Sequence, residues 1–142
     1  MIINGDSAPS AAFELRNIAQ GFCDVVLFDE VTQTQTDTED GTQGGFEWRE
    51  YTVKTPYREG LASAVTADTA AWLALGKQSE SDTLAAEVRA ERDKLLTACD
   101  WTVCTDAKTD KTAWKSYRQS LRDIPENDGF PYNVVFPTKP KR

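Results

Sequence analysis

Apolar positions in this chain fall into stretches with two different periods. From Phe22 through Gln35 they run as Val25, Val26, Leu27, Phe28 and Val31, then give way to alternating Thr and Gln. β-branched and aromatic residues suit a pleated surface, so this segment predicts a strand. A second strand is predicted over Phe46 to Thr55, with Phe46 and Trp48 on one face and Tyr51 and Val53 on the other. Between them, Asp37-Thr38-Glu39-Asp40-Gly41-Thr42-Gln43-Gly44-Gly45 reads as a turn or loop, giving an antiparallel hairpin with a long connection. Such a hairpin is marginal in water on its own and needs a second apolar surface.

Helical spacing supplies that surface. Leu61, Ala64, Val65, Trp72 and Leu75 share one face, interrupted by Asp68, and Gly76 is expected to end this helix in a left-handed cap. A second helix is predicted from Ser81 to Ala98. Ser81 serves as its N-cap, Asp82 lies near its positive end, and Leu84, Val88 and Leu95 line one face. Glu87, Arg89 and Glu91 then point to solvent. A third spans Lys111 to Arg122, capped by Asp110, with Trp114, Tyr117 and Leu121 along one side. Pro125 stops it and Glu126-Asn127-Asp128-Gly129 makes a turn. Prolines keep Phe130 to Pro137 out of helical geometry, so an extended tail is expected. The first ten residues read as a mobile or partner-bound arm, and Phe13 to Ile18 as a short mixed segment. The expected fold is therefore α+β: an N-terminal antiparallel β-hairpin packed on about three α-helices, followed by an extended C-terminal tail. Residues 1–60 would hold the arm and hairpin, and 61–142 the helical region and tail, together forming one compact unit.

Composition narrows the function. Of 142 residues, 39% are hydrophobic and 27% charged, which fits a folded protein with a limited core. No apolar run is long enough to span a bilayer, and the N-terminus lacks the regions of a signal peptide, so folding in the cytoplasm is expected. The net charge of −7 is uneven: residues 1–98 carry 8 basic and 17 acidic side chains, residues 99–142 carry 8 and 6. An acidic body repels phosphate backbones, so no nucleic-acid partner is expected. Three cysteines, Cys23, Cys99 and Cys104, argue against a disulfide framework, and without histidine one subunit lacks the usual zinc ligand set. No metal and no cofactor are expected.

Enzyme chemistry finds no foothold. There is no glycine-rich phosphate loop and no nucleophile elbow, and the commonest proton-transfer side chain is missing. The carboxylate pairs Asp29-Glu30 and Glu39-Asp40 read as solvated rather than catalytic. Aromatic residues are the stronger signal. Trp101, Trp114, Tyr117, Phe130, Tyr132 and Phe136 crowd into the last third, interleaved with Arg118, Arg122 and several prolines. Aromatic and Arg clusters anchor protein interfaces. Trp101, Trp114 and Tyr117 also fit packing residues that clamp the loop between the second and third helices. Phe130 and the tail fit either role.

The order of short motifs in this third has a counterpart. Arg92 with Leu95-Leu96, Asp100-Trp101-Thr102, Trp114, Tyr117-Arg118, Leu121-Arg122-Asp123-Ile124-Pro125 and Gly129-Phe130-Pro131 follow one another. That succession, over roughly residues 88–140, resembles the phage tail assembly chaperone family. Val103 stands where the pattern has Gln, and Phe136 where it more often has Trp. A looser likeness to the segment ahead of such regions involves Leu15-Arg16-Asn17-Ile18, Tyr51, Tyr57-Arg58, Leu61 and Trp72-Leu73. The resemblance implies a non-enzymatic protein that binds a phage tail fibre or other tail protein during assembly in the host cytoplasm. The alternative it implies is an adaptor or decoration retained in the virion tail. In either case Phe130, Pro131, Tyr132 and Phe136 are the expected contact residues, Arg118 and Arg122 the polar anchors, and Trp101, Trp114 and Tyr117 the support beneath. No membrane is involved, and an exposed hairpin edge leaves room for self-association.

Overall fold

A computed structural model describes residues 1–38 and 41–141. Its contacts divide the chain into two compact units, Met1–Glu80 and Ser81–Arg142. The class is α+β as expected, with strands preceding helices.

The first unit is built on strands β1 (Ile2–Gly5), β2 (Phe13–Ala19), β3 (Phe22–Thr38) and β4 (Gly41–Pro56). They form an antiparallel sheet in the order β1-β4-β3-β2. The sheet thus has twice the strands of the expected hairpin. The supposed arm is β1, whose Ile2 to Gly5 pair with Arg49 to Phe46. The supposed mixed segment is β2, whose Phe13 and Leu15 alternate with Glu14 and Arg16, the period of a half-buried strand. It turns into β3 through Gln20 and Gly21, both at positive φ (51° and 78°), as a two-residue hairpin demands.

The central strands also run further than the Gly-rich sequence implied. Pairing continues out to Thr38 opposite Gly41, so Asp37 to Gly45 is strand wherever it is described. The Glu39-Asp40 carboxylate pair lies outside the described residues. A bulge between Asp29 and Thr32, with Glu30 at φ 53°, interrupts the register.

Cys23, Val25 and Leu27 of β3 turn one face of the sheet toward helix α1 (Leu61–Ala67). There they join Leu61 and Val65, with Phe13, Leu15, Val53, Trp72 and Leu73 around them. Asp68 leaves helical geometry (φ −146°, ψ 63°), and its carboxylate accepts the Ala71 N–H at 3.0 Å at the start of helix α2 (Thr69–Ala98). Helix α2 is continuous through the positions expected to divide it. Gly76 does not cap a helix end: it lies buried within α2, where an added Cβ would stand 2.9 Å from Tyr51 Cβ. Close approach of helix to strand requires the glycine here. Ser81 is likewise inside α2 rather than at its N-cap, and Leu75 is exposed.

The second unit contains the later turns of α2, a 3-10 helix over Asp100–Val103, helix α3 (Lys111–Arg122), a second 3-10 helix at Ile124–Glu126 and the tail. Helix α3 has the predicted bounds, and one Asp110 carboxylate oxygen accepts the N–H groups of Thr112 and Ala113, each at 3.0 Å. Buried Cys99, Trp114, Tyr117, Leu121 and Ile124 form its core, against Val88, Leu95 and Leu96 of α2 and Phe130, Val134 and Phe136 of the tail. The expected extended course starts later than Phe130. Asn133 N–H bonds to Gly129 carbonyl at 2.8 Å, making a turn through Pro131 and Tyr132, and only from Val134 is regular structure absent.

Candidate functional site

The short motifs that ran in order along the sequence meet one another in the second unit. Asp100, Trp101 and Thr102 lie in the 3-10 helix after α2; the first two contact α3, and Thr102 bonds to the backbone on either side of the turn. Asp100 Oδ1 is 2.8 Å from Arg118 Nη1. Trp101 packs at 51° against Trp114, centroids 6.4 Å apart, and Trp114 meets Tyr117 edge-on at 5.7 Å. Thr102, wholly buried, donates to the Cys99 carbonyl at 2.6 Å, while its own carbonyl accepts Thr109 Oγ1 at 2.8 Å. The turn is thereby pinned to both helices. Small polar side chains do this well, because each satisfies backbone groups that helix ends leave unpaired.

Arg118 is the hub of this arrangement. Besides Asp100 it donates to the Leu96 carbonyl at 3.0 Å and to Cys99 Sγ at 3.2 Å. Burial works against its charge, but hydrogen bonding with Cys99 and Asp100 more than offsets it and holds the guanidinium above its ordinary range. Trp114 is fully buried, and its indole N–H has no hydrogen-bond partner among the described residues. Tyr117 is nearly so, and burial raises its phenol. Trp101 keeps 44% of its surface exposed.

The expected contact residues divide by exposure. Pro131 is buried, and Phe130 and Phe136 are partly buried against the core, with Arg89 over the Phe130 ring at 5.2 Å. Tyr132 is 52% exposed. Val135, which sequence reasoning passed over, is 86% exposed, and alternation against Val134 and Phe136 was the signal for it. Among the described residues no hydrogen bond reaches the backbone of 134–141, although Lys139 lies over the Trp114 ring at 5.9 Å.

Arg122 is exposed on α3 and faces a cavity of about 370 Å³, also lined by Val103, Lys115, Arg118 and Gln119. Lys115 was missed in the sequence. Its spacing of three and seven residues from Arg118 and Arg122 was the available signal.

Cys23 and Cys99 are buried free thiols, Cys104 is an exposed one, and burial raises the Cys23 thiol above its usual range. Among the described residues no group of three His, Cys, Asp or Glu side chains could hold a metal ion, and no helix is long and apolar enough to cross a membrane.

These features define an α+β protein whose second unit is a small helical module closed by an aromatic, proline-containing tail. Residues 85–141 of that module match the family described as phage tail assembly chaperone protein, which is the family the sequence resembles. The match covers less than half of the chain and supports, in general terms, a role in phage tail assembly with phage tail proteins as partners. No curated protein and no solved structure matches the chain.

Proposed function

We propose that the protein is a non-enzymatic chaperone of tail fibre assembly, binding a fibre or tail protein in the host cytoplasm and leaving before the particle is complete. The observation that carries this reading is the coincidence of the family match with a self-contained unit: residues 85–141 lie within Ser81–Arg142, which has its own core. The grip is the tail. Tyr132 and Val135 offer apolar surface, the outer parts of Phe130 and Phe136 adjoin them in sequence, and Pro131 holds the turn that presents Tyr132. The backbone of 134–141, unpaired among the described residues, suits strand addition to an incomplete partner sheet. Arg118 and Arg122 supply polar contacts beside it, and Trp101, Trp114 and Tyr117 support the surface from beneath.

Co-expression with the fibre protein of the same phage tests this. Recovery of soluble fibre protein in complex with the wild-type chain, reduced at least several-fold by Tyr132→Ala with Val135→Ala, is expected. Unchanged capture by that variant would remove the tail from the account.

A further inference from the structure

We infer that the α3 cavity is a binding site for a carboxylate-bearing segment of the partner protein. This deepens the proposed function and rests on it. Four basic residues, Lys111, Lys115, Arg118 and Arg122, and no acidic one lie in α3, although the whole chain is acidic. Two of the four are used internally. Lys111 donates to the Cys104 and Thr105 carbonyls at 2.6 and 2.9 Å, and Arg118 is held by Asp100, Leu96 and Cys99. The other two, Lys115 and Arg122, have no hydrogen bond or ion pair among the described residues, and both line the cavity with Arg118.

The helix itself does not explain this. A cation near a helix C-terminus is favoured by the macrodipole, which covers Arg122, but Lys115 is in the middle of α3. Arg118 already holds the Asp100 carboxylate, but Lys115 and Arg122 add two like charges at the same cavity, and their repulsion is relieved when a second anion arrives. Arg118 is already fixed in place with only 12% of its side chain exposed, so its order is not lost on binding. Gln119 has its amide nitrogen on Asp123 at 2.7 Å, so it narrows the cavity without adding a charge. Val103, 38% exposed, offers an apolar wall for the methylenes of a Glu or Asp side chain. Fixed cation, two adjustable cations and an apolar wall fit an acidic peptide segment.

The test uses the full chain and a capped hexaglutamate peptide at low ionic strength, followed by amide chemical shifts. Shifts centred on Val103, Lys115, Gln119 and Arg122 are expected, weakened about tenfold in Lys115→Gln with Arg122→Gln, as two lost ion pairs imply. The melting temperature of that variant should change little, since it removes no internal hydrogen bond or ion pair, and the relief of repulsion offsets the loss of Arg122's favourable charge at the helix end. Peptide shifts elsewhere, or of equal size in the variant, would overturn the inference. So would equal shifts with inorganic phosphate, which would mark a general anion site. A dimer in light scattering that the variant splits would give the cavity to a second copy and also overturn it. Loss of the cavity inference leaves capture of fibre protein by the tail standing, because the Tyr132 and Val135 variant reads that separately.

Discussion

Arg118 and Asp100, eighteen residues apart, are joined at 2.8 Å, and the guanidinium is far more buried than the carboxylate: 12% against 63% exposed. The pair is therefore unequal. Removing Arg118 also strips a hydrogen bond from the Leu96 carbonyl at the end of α2. Arg118→Gln should cost about 1.5–3 kcal/mol, the range for lost hydrogen bonds to a charged group. Asp100→Asn should cost roughly 0–1 kcal/mol, as for an exposed ion pair. Urea denaturation of the two variants checks the inequality, and equal losses would show that the pair acts only as a pair.

Gly76→Ala should destabilise the protein, against the usual gain of about 1 kcal/mol when Gly becomes Ala inside a helix. The new methyl would stand 2.9 Å from Tyr51 Cβ and 3.6 Å from Val53 Cγ2, so helix and strand must part. Overpacking of this kind costs about 1–3 kcal/mol. A fall in melting temperature is expected, and a rise would mean the contact yields freely.

Stability should fall with acid in part through Asp29. Its carboxylate sits 2.6 Å from the Lys77 ammonium, and that hydrogen bond holds the carboxyl below its usual range. A carboxyl whose folded value is depressed stabilises fully above its unfolded value, about 3.9, and loses that contribution as pH falls through the folded value. Melting temperature measured from pH 6 down to pH 2 should therefore decline below about pH 4. Asp29→Asn should start lower and decline less over the same range. Parallel curves would exclude Asp29 as a source of the acid sensitivity.

Packing and contact should separate within the tail. Phe136 packs on the core that contains Trp114, whereas Tyr132 is half exposed. Phe136→Ala should lower the denaturation midpoint clearly, and Tyr132→Ala should leave it within error. Trp114→Ala marks the upper end, about 3–5 kcal/mol for a large aromatic taken from a core. Urea midpoints of the three variants give the order directly.

What the sequence revealed followed from how local each signal was. Helix α3 could be read because its cap, Asp110, and its apolar face, Trp114, Tyr117 and Leu121, all lie within twelve positions. The inner parts of β3 and β4 were legible from their β-branched and aromatic residues. Edge strand β1 was not, since four residues ending in Gly5 carry no period and gain their geometry from pairing with Arg49 to Phe46. Gly76 misled because its need for close approach comes from Tyr51, twenty-five residues earlier. In the second unit the aromatic and Arg-rich composition was visible. What remained hidden was that Arg118 is engaged by Asp100 while Lys115 is left facing the cavity.

The central claim, a chaperone that acts on the tail and then departs, is tested most directly by peptide mass spectrometry of purified mature particles. Copy number is read there alongside the morphology of particles made without the gene. The account predicts no stoichiometric amount of this protein in wild-type particles and missing or misassembled fibres in its absence. A fixed whole-number copy per particle would contradict it and make the protein a permanent part of the tail.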